Sequence, residues 1–307
     1  MTTVIAVTHE TLYTYGALVE FAQHVAHLRP LEDPRQQVAA FEMTVDPAPS
    51  HHSTGRDAFG NSRVFFAVTQ PHKALAVRAT SRVRVAGRAT ALAAHDTPPW
   101  ESVRERMRYA TGRPYEPAAQ FTTPSPYVPR LKALRDLAAG CFPPAMPIAA
   151  GAIALMHRVH DAFAYESAST EVDTPLAEVL AQGRGVCQDF AHATIGALRM
   201  LGLPASYVSG YLLTDRNIVG ADASHAWVAV WCPGLAKDRP DGDDWLELDP
   251  TNAVLPDTGH VRLAIGRDYG DVTPLRGVIR GGGAHTLDVR VHTRRLEVGV
   301  EVARDLS

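Results

Sequence analysis

The sequence predicts an α+β protein, and three observations carry that prediction. Residues 1 to about 90 fall into short runs rich in strand-forming residues, several of them alternating, separated by Gly, Pro and Asp turn signals. Residues 96 to 165 repeat apolar residues at spacings of three and four, the pattern of helices. The stretch Gly183 to Pro204, GRGVCQDFAHATIGALRMLGLP, runs a glycine turn directly into a helix and is followed by further strand patterns. Short strands first and helices later suit an α+β chain with an N-terminal antiparallel β domain.

In the β-rich region, Val4–Tyr15 and Leu18–Leu28 read as the arms of a hairpin about Gly16. Val38–Val45 follows and ends at Asp46-Pro47. Val64–Thr69 and Ala74–Val85 come next, with Gln70-Pro71-His72 as their turn. Asp57-Ala58-Phe59-Gly60-Asn61 supplies a loop. His51-His52 read as exposed loop histidines, since no third ligand is spaced to join them.

Helices are expected over Glu101–Tyr109, Arg130–Ala139 and Ile148–Phe163, with a proline-rich irregular connector over Thr111–Pro129. Thr174–Ala181 makes a short helix capped by Thr174, with Pro175 in its first turn. Beyond the Cys187 helix, Ala205–Leu213, Ala223–Trp231 and Trp245–Leu248 read as strands. Asp215–Ala223 and Pro233–Asp244 read as exposed loops. Gly281-Gly282-Gly283 reads as a hinge before a last β pair, His285–Val291 and Leu296–Val302.

With 307 residues the chain is long enough for two domains and a large core. A net charge of −3 gives no electrostatic reason to expect nucleic acid or an anionic membrane as a partner. The arginine-rich runs Arg104–Arg108 and Arg290–Arg295 are interrupted by acidic or apolar residues and read as solvated faces. The three cysteines show no CxxC spacing, so neither a disulfide framework nor a zinc site is implied. The N-terminal stretch reads as a strand and not as a signal peptide, and no run is long enough to span a bilayer. These features lead to the expectation of a reduced, cytoplasmic setting.

Cys187 falls at the start of its helix, where free N–H groups and the helix dipole favour an anion. A thiol there should ionise more readily and become a better nucleophile, and the Cys187 backbone N–H faces a forming oxyanion. A helix start alone does not separate this role from that of a buried structural cysteine. His225 and Asp249 add to it. They stand 38 and 62 positions further on, on a strand and at a strand end, giving the order Cys, His, Asp. A nucleophilic thiol needs a base within hydrogen-bond reach, and the base needs a third group to fix its tautomer. Rivals are weaker. His192 lies five residues past the cysteine, off its helical face, and reads as a packing residue. Asp189 supports the helix start. Cys141 has no histidine partner, and the strand parity of Cys232 turns it away from His225. Trp227 shares the face of His225 and either shields the His–Asp bond or is an ordinary core tryptophan. Asn252 is placed to order the strand end, and Asp222, Asp243 and Asp244 are the reserve orienters.

The strings GVCQDFAH, SHAWV and LDPTN resemble the three catalytic motifs of the transglutaminase-like superfamily, with its papain-like core. Leu28-Arg29-Pro30, Asp46–Pro49, Asp57–Asn61 and Gly266–Tyr269 resemble its bacterial members that carry an extra N-terminal β domain. The resemblance implies a Cys187–His225–Asp249 triad and a second oxyanion donor upstream of the cysteine, for which Tyr165 is placed and Gln188 is the rival. It implies an N-terminal β domain over 1–95, a helical connector over 96–150, a transglutaminase-like core over 151–280 and a C-terminal β pair over 281–307. The expected activity is hydrolysis of a peptide-like bond in a peptide or protein, with no cofactor and no metal. Protein-glutamine transamidation and a silent protein-binding module are the alternatives.

Overall fold

The computed structural model describes residues 2–87, 94–167, 170–213, 224–235 and 244–297. Alternation of apolar and polar residues from Thr2 to Ala26 builds one strand of 25 residues, β1, not a hairpin. Gly16 is not a turn: its backbone N–H donates to Ala284 O at 2.7 Å, and a Cβ there would sit 3.0 Å from that oxygen. The glycine is needed for close backbone approach, which the sequence pattern does not distinguish from chain reversal.

Four strands follow: β2 (Gln36–Asp46), β3 (His51–Arg56), β4 (Ser62–Val68) and β5 (His72–Ala86). β4 and β5 both run antiparallel to β1, β4 against Ala22–Ala26 and β5 against Thr2–Val19. They therefore form one broken row, and Pro71 interrupts a line where the sequence suggests a turn. β2 and β3 form a second broken row, paired with β5 and β4. His51 and His52 lie exposed on β3, not in a loop.

The helical connector holds α1 (Trp100–Met107), α2 (Lys132–Ala138) and α3 (Ile148–Ala162), with a 3-10 turn at Pro117–Thr122. The two-residue strand β6 (Ala164–Tyr165) follows, then α4 (Leu176–Gln182) and the two-residue strand β7 (Arg184–Gly185). Thr174 does not cap α4; its hydroxyl accepts the Glu171 N–H at 2.9 Å, and Pro175 occupies the cap position. The buried helix α5 (Cys187–Met200) packs between α2, α3 and a four-stranded antiparallel sheet. That sheet has the order β10-β9-β8-β11, with β8 at Ala205–Leu212, β9 at His225–Trp231, β10 at Trp245–Leu248 and β11 at His260–Gly266. Gly196 lets α2 close on α5, since a Cβ there would lie 2.6 Å from Leu134 Cδ1.

After the short helix α6 (Tyr269–Val272) the chain returns to the first sheet. β12 (Leu275–Gly281) and β13 (His285–Leu296) form a third broken row along the other edge of β1. The triple glycine therefore separates β12 from β13, and β13 runs through to Leu296 without the break expected after Val291. The expected partner strand lies outside the described residues beyond Glu297, as do the Asp215–Ala223 loop and most of Pro233–Asp244. Ile5, Val7, Val83, Val85 and Val291 of the first sheet bury a cluster with Tyr211, Leu213, Val261 and Leu263 of the second. Among the described residues no helix is long and apolar enough to cross a membrane.

His24, inside the first sheet, stacks on Phe66 at 5.2 Å, and among the described residues neither of its ring nitrogens has a hydrogen-bond partner. Burial, then the charge of His72, lowers its pKa to about 4. Between the ordinary imidazole value and that figure, the unfolded chain binds a proton that the folded chain refuses, so stability falls as pH drops through this window. His24→Phe should therefore gain on the parent by about 2 kcal/mol between pH 7 and pH 4. Urea unfolding across that range checks it; parallel stability curves for the two chains would show that His24 is not the group responsible.

Candidate active site

Local chemistry fixes the cysteine. Gly183 ends α4 in the left-handed region at φ 63°, which turns the chain toward the next helix. Gly185 is required for a different reason: a Cβ there would lie 2.6 Å from Asp189 Oδ2. That oxygen accepts the Val186 N–H at 2.9 Å and the Thr170 hydroxyl at 2.6 Å, so Asp189 ties down the helix start as expected. Cys187 is the first residue of α5 and is partly exposed. Tyr165 pairs with Gly185 through the β6–β7 bridge, two residues before the cysteine. Gln188 uses its side-chain amide to donate to Val172 O at 3.0 Å, which ties it to the neighbouring loop.

His225 and Asp249 meet completely out of solvent. His225 Nε2 donates to Asp249 Oδ2 at 2.9 Å, and both side chains are 0% exposed. Burial alone would lower the imidazole pKa, but the charge and hydrogen bond of Asp249, followed by Cys187, outweigh it and raise it. Burial alone would raise the Asp249 pKa, but the charge and hydrogen bond of His225, then His260, hold it well below the usual carboxylate range. Nε2 being engaged, Nδ1 is the nitrogen left for the thiol. Cys187 is near enough to favour the charged ring, yet among the described residues Nδ1 makes no hydrogen bond of normal geometry. Such contacts are often loose before substrate binds.

Asp249 Oδ1 accepts the backbone N–H groups of Thr251 at 3.0 Å and Asn252 at 3.2 Å. Oδ2 accepts Asn252 Nδ2 at 2.9 Å and His260 Nε2 at 3.3 Å besides His225. Asn252 thus contacts both carboxylate oxygens after the strand end. Trp227, fully buried, stacks 6.0 Å from His225 and meets His260 edge-on at 5.3 Å. Its indole N–H donates to Glu247 Oε2 at 3.0 Å.

The remaining sequence candidates fall elsewhere. His192 accepts the Tyr269 N–H at 3.2 Å and packs on Tyr127 and Tyr207; burial, then Arg199, lowers its pKa to about 3, so it is a neutral acceptor. Cys141 and Cys232 are buried in the main core. Asp244 accepts the Cys232 N–H through its backbone oxygen, and Asp222 and Asp243 lie outside the described residues. Sequence reasoning missed His260, Glu247 and Tyr207. Glu247 had a signal: a carboxylate in the middle of an apolar strand. His260 had none beyond its place at a strand start. Tyr207, on β8, is buried, and its hydroxyl lies near enough for Cys187 to reinforce the effect of burial in raising its pKa.

A helix-start thiol beside a buried His–Asp pair, on an antiparallel sheet packed against that helix, defines the class: the fold of papain-like cysteine enzymes. Residues 5–84 match the bacterial transglutaminase-like N-terminal region, and residues 135–250 match the transglutaminase-like superfamily. An uncharacterized protein of Mycobacterium tuberculosis is 40% identical over 280 residues, covering 89% of this chain and 86% of its own length. One from Mycobacterium leprae is 31% identical over 294 residues, covering 94% and 98%. The crystal structure of a proposed cysteine protease from Cytophaga hutchinsonii superposes with a TM-score of 0.72 at 19% identity, over 97% of this chain and 92% of that one. The chain belongs to the transglutaminase-like superfamily, with the N-terminal region of its bacterial members.

Iodoacetamide at mildly acidic pH should label Cys187 well before Cys141 and Cys232, because it alone is partly exposed, at a helix start and beside a histidine. Mass mapping of the modified peptides checks the order, and first labelling of Cys232 would contradict it.

Proposed function

We propose that this chain is a cysteine-dependent acyl-transfer enzyme with Cys187 as nucleophile, His225 as acid–base and Asp249 as orienting carboxylate. The observation that carries the reading is the solvent-free His225–Asp249 bond with Cys187 acting on the same imidazole. The Cys187 thiolate attacks an amide carbonyl, and backbone N–H groups at the start of α5 receive the oxyanion. Tyr165, beside Gly185, is the side-chain donor we assign to the same oxygen. His225 gives its proton to the leaving amine as the thioester forms. Water, deprotonated by the now neutral imidazole, then releases the acid and restores the thiol.

We favour hydrolysis of a peptide-like bond over transfer to an amine. A peptide panel incubated with and without a primary amine separates the two: cleaved peptide supports hydrolysis, whereas amine-bearing product moves the assignment to transamidation. Cys187→Ala should keep the fold and abolish either activity. A phenotype left intact by that substitution would instead point to a binding module.

Asp249→Asn distinguishes an orienting carboxylate from a simple turn residue. Asn suits the turn, but its amide must set an NH2 group against the N–H donors at one oxygen or the other. Turnover should fall by roughly a hundredfold or more, with KM little changed and some loss of stability. Steady-state kinetics with a thermal melt check this; near-normal turnover would take Asp249 out of the triad.

A further inference from the structure

Asp249 Oδ2 is shared by two imidazoles. His225 Nε2 approaches it at 2.9 Å and His260 Nε2 at 3.3 Å, and His260 is only 7% exposed. The two rings belong to different strands, β9 and β11, and are not neighbours in sequence. Trp227 spans them, stacked on one and edge-on to the other.

We infer that His260 is a positioning residue for the triad: it donates to Asp249 Oδ2 and draws off part of the charge that would otherwise act on the His225 proton. The inference rests on the proposed Cys187–His225–Asp249 chemistry. A carboxylate oxygen has a limited number of lone-pair directions, and each further N–H donor lowers its basicity toward the others. His225 must both hold a proton beside the thiolate and release it to a leaving amine. An Asp249 whose whole charge fell on His225 would hold that proton too tightly. His260 tempers that pull through its contact with Oδ2.

Among the described residues, the titratable groups around the pair come from several neighbouring elements. They are Cys187 of α5, Tyr207 of β8, Asp249 and His260 themselves, and His160 of α3, which donates to the Thr251 carbonyl. Glu247 stands behind Trp227 with Arg35 and Arg262. Of these, His260 alone can be changed to alter the demand on Oδ2 without touching the proposed reacting atoms.

The test uses the full chain and needs no substrate. Chloroacetate is an anion, so its attack by Cys187 is assisted by the neighbouring imidazolium and slows as His225 loses its proton. The rate of Cys187 alkylation is measured from about pH 6 to about pH 12 in the parent chain, His260→Gln, His260→Phe and His225→Ala, with a melt for each over the same range. His225→Ala should remove the alkaline limb. His260→Phe, which keeps the ring and loses the donor, should move the limb upward by about one pH unit. His260→Gln, which restores an N–H at similar reach, should return it close to the parent. His260→Met serves as a second donor-free form if the phenylalanine chain does not melt cooperatively. An alkaline limb that depends on His225 but does not move in the donor-free forms overturns the inference and leaves the proposed function standing, as does a His260→Gln limb displaced as far as theirs. A profile unaffected by His225→Ala overturns both. Failure to find amide turnover removes the hydrolytic reading alone.

Discussion

The constraint on which the site depends is the burial of one carboxylate. Asp249 is 0% exposed and ionised, a state that costs several kcal/mol unless the charge is paired and hydrogen-bonded. Five N–H donors meet that cost, two on Oδ1 and three on Oδ2. The donors come from the turn after β10, from the start of β9 and from the start of β11, so satisfying one side chain fixes three strand ends against each other. Asp249 is therefore a turn residue and the hydrogen-bond acceptor of two imidazoles at once. The Oδ1 contacts set the turn, and the Oδ2 contacts set the histidine.

The first sheet is part of this arrangement and not an appendage to it. β11 is an edge strand of the second sheet, and an open edge leaves backbone groups unpaired. Two buried amide side chains from the N-terminal region close it. Gln36 exchanges hydrogen bonds with both backbone groups of Arg262, each at 2.7 Å. Asn61 does the same at Ile265, at 2.7 and 2.8 Å. Each amide presents a donor and an acceptor as a neighbouring strand would. The edge is thereby pinned along the strand whose first residue is His260.

The sequence made the second sheet and its helix legible because there the local and global signals agree. The start of α5, the two glycines before it and the strands carrying His225 and Trp245 follow from period and turn chemistry. The first sheet was less legible. The run from Thr2 to Ala26 carries a glycine midway, and a glycine reads equally as a turn or as a close approach; Ala284, 268 positions away, decides. Pro71 misled for the same reason, since a break in a row and a reversal use the same residues. Cys187, His225 and Asp249 stood out because thiol, imidazole and carboxylate in that order have a chemical logic. His260 has meaning only through a partner that the fold supplies.

Glu247 completes the electrostatics. It lies two residues before Asp249, so the two side chains leave the strand on the same side from Cα atoms about 6–7 Å apart. A second bare charge at that distance, in a buried setting, would favour protonation of Asp249 and weaken its hold on His225. Arg35 at 3.5 Å and Arg262 at 3.3 Å neutralise Glu247 on one oxygen, while Trp227 takes the other. Asp33, at 2.7 Å from Arg262, balances the second arginine. The result is a neutral cluster behind the indole and one carboxylate, Asp249, in front of it. Glu247 then fixes the plane of Trp227 without competing for the protons of the histidines, and the indole stacks on His225. A buried acid that looks like a liability in an apolar strand thus allows the neighbouring acid to remain charged.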